Sequence, residues 1–152
     1  NFWFVAHLIS EFVKGCTVYL IRPPQHTPYG FGGLNEAALI EAYKGKIQID
    51  DLDKIAGLWK SYQHDDTKQL ISTANELQAS FPFILRAVEA HMARIPSEND
   101  PGRPVQALIE IMKDLETEDF GAVFREFSKR EAIYGFGDVQ VKKLFDELKN
   151  NR

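Results

Sequence analysis

Thr17, Val18, Tyr19, Leu20 and Ile21 form an unbroken β-favouring apolar run, and no other segment of the chain reads as its equal. A strand without a partner leaves its backbone N–H and C=O groups unsatisfied, and even a two-stranded hairpin is marginal in water. The run therefore calls for pairing strands from elsewhere. The residues before it sharpen that demand. Phe2, Trp3, Val5, Ala6, Leu8, Ile9, Phe12 and Val13 cover nearly every face of a helix that Gly15 ends, which predicts a helix buried on more than one side.

Helix, Gly15-Cys16, then a continuous strand is the order of an α-to-β step in an α/β sheet, where strands buried on both faces lose polar alternation. The chain also starts at Asn1 rather than at an initiator methionine. We therefore expect residues 1–45 to be the C-terminal part of an α/β domain, its other strands preceding Asn1. On that expectation the 2–13 helix and the 17–21 strand leave a large apolar patch uncovered.

Pro23 and Pro24 stop the strand, and a loop rich in Pro, Gly and aromatics leads to a helix from about Asn35 to Tyr43. Beyond Gly45 the periodicity is helical throughout, so residues 46–152 are expected to form a helical domain. Leu52, Ile55, Trp59 and Tyr62 make a stripe that Asp50 or Asp51 can cap. The stripe falters at His64, Asp65 and Asp66 and resumes with Leu70, Ile71, Ala74 and Leu77, which predicts two helices with an aspartate capping the second.

Pro82 opens a further helix whose inward face carries Phe83, Ile84, Ala87, Val88, His91, Met92 and Ile95. Residues 96–104, with three prolines and Gly102, read as a loop. Three helices complete a unit over about 103–150. The first turns Val105, Leu108, Ile109, Met112 and Leu115 inward, and the second turns Phe120, Val123, Phe124 and Phe127. The third, capped by Asp138, does so with Val141, Leu144, Phe145 and Leu148. The fold class expected is mainly α, a remnant of an α/β domain followed by a multi-helix domain with a winged-helix-like end.

Composition narrows the function classes. At 44% hydrophobic and 26% charged residues the chain is an ordinary globular one, and its formal charge of −4 speaks against a broad surface for nucleic acid or anionic membrane. Cys16 is the single cysteine, so no internal disulfide or Cys-rich zinc site can form, which suits a cytoplasmic location, and its place beside the strand predicts a buried thiol. The apolar opening is much shorter than the roughly 20 residues that span a bilayer. His7, Ser10 and Glu11 interrupt it.

Tyr29, Gly30, Phe31, Gly32 and Gly33, with His26 nearby, lie between a strand and a helix, where backbone N–H groups can hold a phosphate. The segment matches neither the Walker nor the dinucleotide glycine pattern, and a glycine-rich connection that covers a sheet edge is the plainer reading. His64, Asp65 and Asp66 have the chemistry of metal ligands, but adjacent helical residues point about 100° apart and cannot share one ion. A helix interruption explains them, and neither a metal nor another cofactor is expected. His7 and His91 fit core or boundary positions. Gln140, Lys142 and Lys143 on the last helix could face DNA as a recognition helix does. Against that, residues 101–152 carry 9 Lys and Arg to 10 Asp and Glu, and nucleic acid is not the expected partner.

Leu85-Arg86, His91, Ile95-Pro96-Ser97, Gly102-Arg103-Pro104, Leu108-Ile109-Glu110-Ile111 and Tyr134-Gly135-Phe136-Gly137-Asp138 together resemble the C-terminal half of a bacterial family of unknown function. Trp59, Asp65 or Asp66, and Leu70 resemble its middle section, and Asn1-Phe2-Trp3 the helix after its central strand. The resemblance implies an α/β domain before Asn1 and a helical region after it, and no activity, cofactor or substrate. The function expected is thus a cytosolic binding or regulatory module. Its partner is expected to be another protein, the preceding segment of the same protein, or a second copy in a homodimer. The rival readings are an enzyme on a nucleotide or phosphorylated ligand and a winged-helix-like DNA binder.

Overall fold

Eight α-helices and one two-stranded sheet make up the regular structure among the described residues, and the chain is mainly α, as its stripes predict. The computed structural model describes residues 2–23 and 30–150. His26 and Tyr29 lie outside the described residues. The chain divides into two compact units, Asn1–Thr73 and Ala74–Arg152.

In the first unit α1 (Phe2–Phe12) packs on α3 (Leu52–Gln63). Aromatic rings form the seam: Phe4 and Trp59 are 4.8 Å apart between centroids, Trp59 and Tyr62 5.4 Å, and Trp3 and Tyr62 6.1 Å. Ile55, Ala56 and Leu58 are the fully buried part of α3. The expectation that α1 is buried on more than one side needs correction. Ala6 is its one fully buried residue, while Phe4, Val5, Leu8 and Phe12 are exposed, Phe12 at 80%. The apolar pattern marks what a helix could bury, but a single facing helix covers only a narrow stripe of it.

The strand run has its partner within the chain, which corrects the reading of a strand with nothing to pair with. β1 (Tyr19–Leu20) pairs antiparallel with β2 (Ile47–Gln48) in the register Tyr19↔Gln48 and Leu20↔Ile47. The Ile49 N–H donates to the Val18 carbonyl at 2.9 Å, extending the ladder by one bond. Cys16 is exposed rather than buried, because the two-residue pairing starts beyond it.

The segment joining the strands holds a 3-10 turn, Gly30–Gly33, and α2 (Glu36–Lys44). Asn35 caps α2, its side-chain oxygen accepting from Ala38 N at 2.9 Å. The interruption at His64 to Asp66 separates α3 from α4 (Thr67–Glu76) as the sequence predicts. Asp65 takes φ 53, and Asp66 Oδ1 accepts from Gln69 N at 3.0 Å to cap α4.

The second unit contains α5 (Pro82–Ala93), α6 (Arg103–Asp114), α7 (Phe120–Arg130) and α8 (Asp138–Asn150). Its core joins the last three helices: Ala107, Leu108, Ile111 and Met112 of α6 meet Val123 and Phe127 of α7 and Val141 and Phe145 of α8. Each large side chain so buried contributes about 1.5–3 kcal/mol relative to an exposed one. Ile71, Ile109 and Leu115, read as inward-facing, are instead exposed at 38–41%. They sit at the edges of their stripes, where neighbouring helices no longer reach. Asp119 caps α7 through Ala122 N at 2.8 Å. The start of α8 is built differently from expectation. Val141 N donates to the Gly137 carbonyl at 3.1 Å, and Gln140 Oε1 accepts from Gly137 N at 3.0 Å. Gly137 holds the cap position and Gln140 supplies the reciprocal side-chain bond three residues on. Asp138 is the first helical residue.

Candidate functional site

The second unit carries an open groove of about 670 Å³ between the 94–105 segment and one face of α8. Ile95, Pro96, Pro101, Pro104 and Val105 line it from the first side, and Gln140, Lys143, Leu144 and Glu147 from α8. Phe136 closes the lining, held by stacking on Phe127 at 6.3 Å and by Tyr134 at 5.5 Å.

The proline side is built from local chemistry. After α5 ends, Ser97 and Asp100 exchange backbone hydrogen bonds at 2.8 and 3.3 Å, folding the chain back on itself. Asp100 Oδ1 then accepts from Gly102 N at 2.7 Å and from Gln106 Nε2 at 3.0 Å, tying the fold-back to the first turn of α6. Gly102 has φ +85, a conformation natural to glycine. Behind this wall Arg103 Nε donates to Glu131 Oε1 at 2.8 Å and Nη2 donates to the same oxygen, while Nη1 reaches the two Glu110 carboxylate oxygens at 3.1 and 3.3 Å. Glu131 is buried at 6% exposure, so the ion pair fastens the start of α6 to the end of α7. The bond from Glu131 also holds the Arg103 guanidinium pKa above its usual value. Burial, with the Glu131 charge second, pushes the Tyr134 phenol above the ordinary tyrosine range.

The charges on the groove are few. Arg94 takes part in no ion pair among the described residues. Lys143 stands 4.0 Å from Glu147, with both side chains well exposed, a pairing that holds weakly in water. The lining thus combines an apolar body with two cations and one anion, and carries no nucleophile paired with a base.

No family model, curated protein or solved structure matches this chain.

Of the residues the sequence singled out, Gln140 and Lys143 come together on the groove, whereas Lys142 does not. Its amine is bound to Asp146 at 2.5 and 2.6 Å and lies 5.6 Å from the Phe120 ring centroid. Gly30, Gly32 and Gly33 fall in the 3-10 turn of the first unit, where Leu34 N bonds the Phe31 carbonyl at 3.1 Å. His64 bonds its own helix through Nδ1 to the Lys60 carbonyl at 2.7 Å. Among the described residues no group of three His, Cys, Asp or Glu side chains is placed to hold a metal ion. No helix of the described residues is long and apolar enough to cross a membrane.

Sequence reasoning missed the groove itself. By periodicity Ile95, Val105 and Leu144 belong to inward stripes, but Ile95 is 45% exposed and the other two are only half-buried. The available signal was the density of prolines at 96, 101 and 104 beside Gly102, which marks a stiff turn rather than a slack linker.

Proposed function

We propose that this chain is a binding module, acting in a reducing cytosol, and that the groove of the second unit is its recognition site. The observation that carries this reading is the groove's make-up: an open apolar lining of Pro96, Pro101, Phe136, Val105 and Leu144 over the buried Pro104, with polar groups confined to a few positions around it. Peptide-recognising surfaces combine an apolar trough with a sparse polar rim in this way. The wall is pre-organised by Asp100 and Gly102, so little ordering opposes binding. The motif resemblance to a bacterial family of unknown function adds no activity to the reading and is in keeping with it.

The test uses a fluorescein-labelled amphipathic peptide with leucines on one face and glutamines on the other. Fluorescence anisotropy is expected to show saturable binding to the parent chain and a loss of at least about tenfold with Val105→Asp, which desolvates a charge on binding. Duplex DNA and inorganic phosphate serve as contrasting probes. Saturable binding of either one at low salt, with none of the peptide, would assign the chain to the corresponding rival reading.

A further inference from the structure

We infer that the groove takes an amphipathic helix of a separate protein whose polar face is acidic. This rests on the groove being a recognition site and adds the form and charge of its occupant.

The prolines decide the form. Pro96 and Pro101 in the loop, and Pro104 in the first turn of α6, have no backbone N–H, so this wall lacks the row of donors that an added β-strand would need. The other wall is a helix, whose backbone groups are already paired with one another. Recognition therefore runs through side chains, which suits an occupant whose own backbone is satisfied internally. Gln140, Lys143, Leu144 and Glu147 follow the spacing of one helical face and extend about 10 Å along α8, the length of two turns. A second helix lying beside that face would present apolar side chains at i, i+3, i+4 and i+7.

Charge complementarity decides the polar face. Arg94 at one edge has no ion-pair partner among the described residues, and Lys143 at the other is held only loosely by Glu147 at 4.0 Å. The side chains on the groove therefore carry a net positive charge although the chain carries −4. Helix α1 of a second copy complements it poorly. Helix α1 leaves Phe4, Val5, Leu8 and Phe12 exposed, but its one acid, Glu11, already faces Lys60 at 3.4 Å.

Three amidated peptides of about twelve residues test the inference, with leucine at i, i+3, i+4 and i+7 and glutamate, glutamine or lysine elsewhere. At low salt the glutamate peptide is expected to bind about tenfold more tightly than the lysine peptide, and the gap to narrow as salt rises. Arg94→Glu, an exposed change whose fold is checked by circular dichroism, is expected to close or reverse that gap, with Lys143→Glu acting in the same direction. Equal binding of all three peptides overturns the acidic occupant and leaves the recognition site standing. Binding of none, or binding unaffected by Val105→Asp, overturns both. A concentration-dependent dimer of the chain alone that Arg94→Glu dissolves would give the groove to a second copy and overturn the inference as well.

Discussion

Gly102 sits so close to Arg94 that a Cβ added to it would stand 2.5 Å from the Arg94 carbonyl oxygen. The contact sets the end of α5 against the start of α6 and so fixes the proline wall of the groove. Gly102→Ala has to move this backbone and also adopt a φ of +85. We predict a loss of about 2–4 kcal/mol, read from urea unfolding, together with weaker peptide binding. Gly57→Ala provides the contrast, since Gly57 lies inside α3 with nothing within 4 Å of its added Cβ. There the change should raise stability by about 0.5–1 kcal/mol. Equal effects at the two sites would mean that the Gly102 contact is not formed.

The Arg103–Glu131 pair should couple more strongly than Arg103–Glu110. Glu131 is 7% exposed in its side chain and Glu110 52%. A double-mutant cycle with Arg103→Gln and Glu131→Gln is expected to give about 1–2 kcal/mol, reduced from a fully buried pair by the exposure of Arg103. The corresponding cycle with Glu110→Gln should give less than about 0.5 kcal/mol. Similar coupling in both cycles would contradict the buried position of Glu131.

Tyr134 makes stability fall at alkaline pH. Burial and the Glu131 charge keep its phenol protonated to a higher pH in the folded chain than in the unfolded one. Its contribution is therefore whole below the unfolded tyrosine value of about 10 and is lost as pH rises through the folded value. Urea midpoints taken across that window should drop less steeply for Tyr134→Phe than for the parent. Parallel slopes would show that Tyr134 titrates alike in both states.

Two aromatic residues of the α1 and α3 pair should respond in opposite ways. Trp59 stacks on Tyr62 and packs at a tilt against Phe4, and Trp59→Ala is expected to cost about 2–4 kcal/mol. Phe12 is 80% exposed, so Phe12→Ser should change stability by no more than about 0.5 kcal/mol. A loss above about 2 kcal/mol at Phe12 would mean that α1 is covered in solution.

The helical part of the fold was legible because it rests on local rules. Asn35, Asp66, Asp119 and Pro82 announce helix starts by short-range chemistry, and their helices begin where those residues stand. The partner of Tyr19 and Leu20 was not legible. Ile47, Gln48 and Ile49 alternate for too few residues to separate a strand from a helix edge. Cys16 and Phe12 were misplaced for a related reason, since apolar character says what can be buried and not how much facing surface exists. The groove is non-local altogether. Ile95, Val105, Phe136 and Leu144 come from four segments, and a half-buried groove wall has the same periodicity as a core position. Gln140 and Lys143 were found through their polarity on a helix face, while Arg94 at the end of α5 carried no such mark.

Methyl NMR of the parent chain, titrated with the glutamine-bearing peptide, tests the recognition site most directly. The methyl signals of Ile95, Val105 and Leu144 should shift together along one saturation curve, with those of Val5 and Leu8 on α1 unmoved. Shifts confined to α1, or none at saturating peptide, would contradict the assignment of the groove.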